Sequence, residues 1–459
     1  MHDVVGVTPP REKRRGTILV ATSVVLIALV GLLGLVIDAG QLMYSYRRTQ
    51  NAADAAAMAA AMDLLSGYSS STATSTATTF VQEYNGMANA TVTVNIPPLT
   101  GNYTGSSNYA EAIVSFPVST TFIQVLGVGA TQTVTARAVA GWEGNTVAVG
   151  VMQLDGTANP GIALVGNGSL NVNGTVLVNS NAGGFDQNGN PINNGNGGAA
   201  IISIGNGAIY ANNVSTVGGV SDPTIFGNYD PNNPASPLQT GVVAQADPFQ
   251  NLPAPTTANG AVATSYGDVQ TTGSSDVTLN PGVYNSISVS GNANVTMNPG
   301  IYVIAGGGLS MSGNATLTGS GVMLYNTGSD FNVNTGLPDS QDGSTAPPAA
   351  GSATFGAVTI TGNAQLNLTP FSNSSSPFDG FVLYQRRLNT QPITIAGNGS
   401  SDSLQGTAYA KWAPLDLSGD GTFNSQFFVQ SLVVSGNGNL TLDYTNQNLG
   451  KADLVYLVE

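Results

Sequence analysis

At 459 residues the chain has room for two or three domains, and an apolar content of 41 % allows a packed core, which excludes a wholly disordered chain. Only 8 % of the residues are charged and the net charge is −14; the one basic pair in the body is Arg386 with Arg387, so nucleic-acid binding, which needs clustered cations, is excluded. There is no cysteine and the single histidine is His2, which removes disulfide and thiol chemistry, histidine general-base catalysis and histidine metal sites from the body.

Arg11, Lys13, Arg14 and Arg15 lie in and beside a basic tail, residues 1–16. The next stretch, residues 17–37 from Thr17 to Ile37, is apolar and carries no charge. A helix of about 21 residues at roughly 1.5 Å each crosses a bilayer core, so this stretch is predicted to be a transmembrane anchor. The chain leaves it at Asp38 and runs on into an alanine-rich segment, residues 50–65 from Gln50 to Leu65, with no proline until Pro97. One helix is therefore expected to continue out of the membrane. The positive-inside rule puts the tail in the cytoplasm and the body outside. A cleaved signal peptide is the alternative, but its apolar region is shorter and ends at a small-residue site.

The residues Arg15, Gly16, Asp38, Gly40, Tyr44, Arg47, Gln50, Asn51, Ala52, Ala53, Asp54 and Ala55 occur in an order that resembles the N-terminus of the TadE/TadG-like proteins of Flp (tight adherence) pilus assembly. The resemblance covers residues 14–65 and extends weakly to 142. It implies a bacterial envelope protein that helps to assemble or anchor such a pilus. It also raises prepilin-type cleavage after Gly16, although Ala21 stands where type IV pilins carry glutamate at the fifth mature position. Some TadG-like proteins carry a von Willebrand factor A domain; its Asp-x-Ser-x-Ser metal motif is missing here.

The alanine face of residues 50–65 has two open readings: a docking face for other pilus-assembly or envelope proteins, or a face packed on its own domain. Residues 66–79, rich in Ser and Thr with Gly67, read as a break, and 79–84 as a short helix. Residues 90–96, 110–116 and 131–140 alternate as strands, with a helical turn at 120–126. Residues 38–142 are thus predicted to form a long helix and a small α+β domain.

From residue 143 to 459 the texture is short strands between Gly-Asn turns, at Gly166, Gly205, Gly291, Gly313, Gly362, Gly397 and Gly436. DVTLNPGVY, from Asp276 to Tyr284, recurs as NVTMNPGIY, from Asn294 to Tyr302, and more loosely as ATLTGSGVMLY, from Ala315 to Tyr325. Repeats of this kind predict a right-handed parallel β-helix, a solenoid, with Asn ladders at its corners. A β-sandwich or barrel is the rival, because period-2 alternation does not separate them. The proline-rich residues 221–257 and the Ser/Asp/Gly/Pro-rich residues 328–350 read as loops leaving the solenoid. Residues 452–458 read as a strand that caps it.

Solenoids of this kind often act on polysaccharides, and Asp379, Arg386 and Lys411 form the one candidate Asp–Arg site; the competing reading is surface charges on loops. Asp416 to Gly421, and Asp186 with Asn188 and Asn190, resemble half of a calcium loop, each without the closing glutamate. No catalytic, cofactor-binding or metal-ligating residue is assigned. The expected function is a non-enzymatic, membrane-anchored envelope protein; a glycan-binding stalk or adhesin and a polysaccharide-active enzyme are the alternatives.

Overall fold

The computed structural model describes residues 15–65, 68–192, 197–339, 353–396 and 403–459. The basic residues Arg11, Lys13 and Arg14, the Gly397 turn and most of the predicted loop 328–350 lie outside the described residues. An N-terminal apolar helix is followed by a mostly β chain, which divides into two compact units, Met1–Glu143 with Asp453–Glu459, and Gly144–Ala452.

In the first unit a single helix, α1 (Arg15–Leu65), runs for 51 residues, as the lack of proline required. From Leu19 to Leu33 every side chain is exposed. Beyond the apolar run, Ala52, Ala53, Ala56, Ala57, Ala60 and Ala61 are fully buried. The expected break is confined to the start of the Ser/Thr-rich stretch, where α1 ends at Leu65 and Gly67 lies outside the described residues; from Ser70 to Thr79 the stretch is a helix, α2, started by Ser69, whose Oγ accepts from the Thr72 amide at 3.2 Å. Serine and threonine are weak helix formers, but Ala73 and Ala77 fit against the alanine row of α1, and that burial overrides propensity. The predicted short helix is a π-type turn, Phe80–Tyr84, continuing from α2.

Three antiparallel strands follow, β1 (Thr91–Asn95), β2 (Tyr109–Ser119) and β3 (Thr131–Thr146). Ala110, Ala112 and Val114 of β2 and Ala136, Ala138 and Ala140 of β3 share one face and pack against the alanines of α1. The last strand, Lys451–Leu457, does not cap the solenoid as expected; it adds to the edge of β3, where Val458 N–H donates to the Val139 carbonyl at 2.9 Å. An apolar alternation shows that a strand exists but not which open edge it joins.

Arg137 ties this sheet together, with Nε 2.6 Å from Glu111 Oε1 and Nη1 2.7 Å from Glu459 Oε2. Burial of the Glu111 carboxyl would raise its pKa, but bonds from Thr100, Asn95, Arg137 and the Leu99 amide outweigh that and bring it from 4.5 to about 2. A carboxylate depressed in the fold stabilises it fully above the unfolded value, and that contribution fades as pH falls through the folded one. The melting temperature of the chain should therefore fall between about pH 4.5 and 2 in part through Glu111. A Glu111→Gln variant should melt lower at neutral pH and with a flatter acid limb; an unchanged acid limb would refute the assignment.

The second unit is built on a 20-stranded sheet that closes on itself, and its described strand pairings are parallel. The sequence repeat is the sheet register: Asp276 pairs Asn294, Val277 pairs Val295 and Leu279 pairs Met297. Asn294 in turn pairs Thr316 of the third copy. The Gly-Asn corners stack: Asn314 Nδ2 donates to Asn292 Oδ1 at 2.9 Å, and Asn363 Nδ2 to Asn314 Oδ1 at 3.1 Å. Beside them Gly291, Gly313 and Gly362 form a column, all at positive φ; a Cβ on Gly313 would lie 2.8 Å from the Gly291 carbonyl oxygen. Val, Ile and Leu from alternate positions fill the interior, with Tyr284 and Tyr302 stacked at 5.9 Å.

The order of layers is not the order of the chain. Strand Gly421–Gly436, late in the sequence, pairs the early strands Val151–Gln153 and Ile162–Gly166. In pairing order the strands therefore run from residue 265 to 442, continue at 151, and end with Leu238–Thr240, which pairs only with Ala208–Thr216 among the described strands, as Ser265–Thr271 pairs with Gly282–Val289.

The proline-rich segment 221–257 is consequently not a loop thrown out of the stack. It adds two short strands, Phe226–Asn228 and Leu238–Thr240, and then travels back. The return crosses about ten strand spacings of roughly 4.8 Å, well within the reach of an extended chain of that length. It lies along the outside of the layers in sequence: Gln245 bonds Asn179, Asp247 bonds Tyr409, the Leu252 carbonyl accepts from Tyr384 and Ala261 bridges Ile301. Phe249, Leu252 and Ala254 are buried in a second core with Phe381, Tyr409 and Phe428. We refer to residues 241–264 as the strap.

Candidate functional site

The motif residues of α1 fall into two groups. Ala52 and Ala53 are buried inside the first unit, and Gln50 Nε2 donates to Asp54 and to the Arg137 carbonyl. Of the two readings of residues 50–65, the alanine face takes the second, packing on its own domain, where α2, β2 and β3 occupy it. What that segment leaves exposed is the other side, with Asn51, Met58 and Met62. Gly40, Tyr44 and Arg47 are also exposed.

Asp38 is different. It is 2 % exposed, and its carboxylate accepts the amides of Thr121 at 3.2 Å and of Phe122 and Ile123 at 2.7 Å. Those amides open a 3-10 turn, Ile123–Leu126, where a helix start leaves N–H groups without a partner inside the turn. Burial works against the charge, but the three amide bonds win and hold the Asp38 carboxyl below its ordinary value. The ring of Phe122 then lies on Gly34, where a Cβ would collide with it. Asp38→Ala should free this loop: amide exchange at Thr121, Phe122 and Ile123 should accelerate by about tenfold or more, with the β2 and β3 amides unaffected. Equal protection in the variant would refute the latch.

Next to this loop an apolar groove of about 530 Å³ lies between α1 and β3, lined by Leu42, Met43, Tyr46, Ile123 and Val134, with Arg47 at its rim.

In the second unit Asp379, Arg386 and Lys411 do not form a common site. Asp379 accepts from the Asn373 amide, Asn448 and Lys451. Arg386 pairs Asp330 at 2.8 Å and Asp339 at 2.7 Å, and Lys411 pairs Asp247 of the strap at 3.1 Å. Nor are the cations surface charges: Arg386, Arg387 and Lys411 are 2 %, 5 % and 9 % exposed. They neutralise buried carboxylates and satisfy carbonyls where the strap and the layer edges leave them. Arg387 Nη2 donates to the Phe249 carbonyl at 2.6 Å and its Nε to Tyr409 Oη at 3.0 Å.

The half calcium loops are also accounted for. Asp416 is inside a strand, paired to Thr394 and Val433, and burial raises its pKa. Asp420 Oδ1 accepts the Asn439 amide. Asp186 closes a turn with Asn190 and the amides of Asn188 and Asn190, and those bonds hold its pKa down. Among the described residues no three acidic or histidine side chains are grouped as metal ligands.

One polar cleft of about 410 Å³ lies on the second unit, lined by Asn167, Ser169, Asn171, Asn206, Tyr210 and Asn439. The Tyr210 ring is 41 % exposed and lies on Gly227, where a Cβ would be 2.6 Å from it.

Comparison with curated proteins and with solved structures found no match to this chain. A family model described as "Putative Flp pilus-assembly TadE/G-like" matches residues 16–63. That stretch contains the motif residues from Gly16 to Ala55, the Asp38 latch and the buried alanine row, so the N-terminal region of this chain is similar to TadE/G-like Flp pilus-assembly proteins over residues 16–63.

Proposed function

We propose that this protein is a single-pass, membrane-anchored component of the bacterial envelope that assembles or anchors an Flp-type pilus, with a cytoplasmic N-terminus and a non-catalytic β-helix outside. The match over residues 16–63 carries this reading. The exposed apolar side chains from Leu19 to Leu33 support the anchor, because a row of that length is stable only in lipid or against a partner. The parallel register that pairs Asp276 with Asn294, Asn294 with Thr316 and Thr316 with Gln365, with Asn columns at the corners, supports a right-handed β-helix. The separation of Asp379, Arg386 and Lys411 into different ion pairs favours a non-enzymatic body.

Deletion of the gene in its host, followed by counting Flp-type pili by electron microscopy, tests the proposal. Loss of pili, restored by the intact chain, is expected; a normally piliated deletion strain would overturn it. Mass analysis of the mature N-terminus from fractionated cells separates a retained anchor, beginning at Met1 in the membrane, from a subunit cleaved after Gly16.

The Tyr210 cleft favours a second reading, recognition of an uncharged glycan. It offers a half-exposed aromatic face ringed by amides and a hydroxyl, with no charged side chain in its lining. Titration with cellohexaose should show binding that Tyr210→Ala weakens by about tenfold or more. An absence of heat at millimolar sugar would remove this reading.

A further inference from the structure

We propose that residues 121–128 form a second membrane contact, a loop seated in the outer leaflet beside the anchor. The inference rests on the reading of residues 17–37 as a membrane span, and adds a partner, the phospholipid leaflet, for a segment far away in sequence.

Depth is the first argument. Gly34 lies three residues inside the end of the apolar run at Ile37, or about 4.5 Å along the helix. The Phe122 ring packs on Gly34, and the amides of residues 121–123 are bound to Asp38, the first residue outside. The loop is therefore held at the level where the helix enters the hydrocarbon.

Composition is the second. Phe122, Ile123, Val125, Leu126 and Val128 are apolar and residues 120–130 hold no charge. Phe122 and Val128 remain 38 % and 36 % exposed. Such a loop gains by burial in lipid, provided its backbone is satisfied. Asp38 supplies that condition for three amides that would otherwise face hydrocarbon. A carboxylate just past a membrane span is explained by the same requirement.

The surroundings are the third. Tyr44 and Tyr46, exposed at 69 % and 52 %, follow on α1 at the height of the headgroups, where tyrosine is favoured. The apolar groove is lined by Ile123 of the same loop, and Arg47, which also lines it, supplies a cation of the kind that meets a lipid phosphate.

The chain has no cysteine, so single-cysteine variants carry a nitroxide at one position only. The full chain is reconstituted in phosphatidylcholine–phosphatidylglycerol vesicles, and spin-label collision with oxygen and with a polar nickel chelate is measured. The positions are Phe122→Cys, Val128→Cys, Val30→Cys within the span and Ser107→Cys before the far end of β2. Nickel accessibility at Val128→Cys and Phe122→Cys should match Val30→Cys and be about tenfold lower than at Ser107→Cys, because a polar complex is excluded from hydrocarbon. Adding Asp38→Ala should return the label at Val128→Cys to water. If both loop positions behave like Ser107→Cys while Val30→Cys is shielded, the loop inference fails and the anchor stands. If Val30→Cys is also open to nickel, the anchor reading fails and the inference with it. Val128→Cys decides the matter even if Phe122→Cys unseats the loop.

Discussion

Phe249→Ala is expected to destabilise the second unit by about 3–5 kcal/mol, the usual cost of removing a buried phenyl group. Phe249 is the anchor of the strap: 2 % exposed, with ring centroids 4.9 Å from Phe381, 5.7 Å from Tyr409 and 4.7 Å from Phe428. Its carbonyl holds Arg387, and Asp247, two residues before it, neutralises Lys411 and accepts from Tyr409. Burial, with the Asp247 charge beside it, pushes Tyr409 well above the ordinary tyrosine range, so its hydroxyl keeps its proton and donates. Removing the ring leaves a cavity and loosens a segment whose polar contacts all depend on close seating. Urea unfolding of the detergent-solubilised chain should show the loss, and protease should cut between residues 241 and 264 before anything else in the second unit. Val243→Ala, at a side chain 81 % exposed, should change stability by less than about 0.5 kcal/mol. Equal unfolding midpoints for Phe249→Ala and the parent would mean the strap contributes nothing.

Arg386→Met should cost about 3–5 kcal/mol, for a different reason. The guanidinium Nε lies 2.7 Å from Oδ1 of Asp339, whose side chain is 1 % exposed. The other Asp339 oxygen accepts from Tyr325 Oη and Thr327 Oγ1. Methionine keeps much of the volume but takes the cation of this ion pair away from a buried carboxylate. The double variant Arg386→Met with Asp339→Asn should recover more than half of the loss, since an asparagine carbonyl still accepts from Tyr325 and Thr327. Were the double variant as unstable as the single, lost packing against Phe355, 5.3 Å away, would be the cause instead.

Much of this architecture is visible in the amino-acid sequence where the signal is local. The apolar run and alanine row predict α1, alternation predicts β1, β2 and β3, and the spacing of DVTLNPGVY and NVTMNPGIY is the spacing of stacked strands. The Gly-Asn dipeptides mark the corner columns. What escaped depends on distant partners. The helix Ser70–Thr79 forms because Ala73 and Ala77 meet α1, a fact its own serines and threonines conceal. Arg386 and Arg387 read as surface charges, since a buried arginine is recognisable only with its carboxylate or carbonyls in view. Prolines in the strap suggested a solvated loop, because proline marks an interrupted ladder equally well in an exposed turn and in a segment lying outside the layers. For the candidate site, Asp38 stood in a recognisable motif, but nothing local ties it to Phe122 and Ile123; a charge beside a span with an uncharged apolar loop elsewhere was the only available signal.

The permuted order of layers also dictates a timetable. Ser169 Oγ donates to Asn439 Oδ1 across 270 residues of sequence, and the same junction pairs strand Gly421–Gly436 with the first strands of the unit. Residues 151–240 are synthesised first, yet one side of their ladder has no neighbour until almost the entire chain has emerged. Residues 265–442 can coil as they appear, each layer closing on one made moments before, against a strap already delivered. Loop-closure entropy makes the long junction slow while the local windings are fast. An open strand edge therefore persists through most of synthesis, the interval in which mispairing with another chain is most dangerous. The junction that topology makes slowest to close is the seam between the oldest and the youngest strands of this sheet.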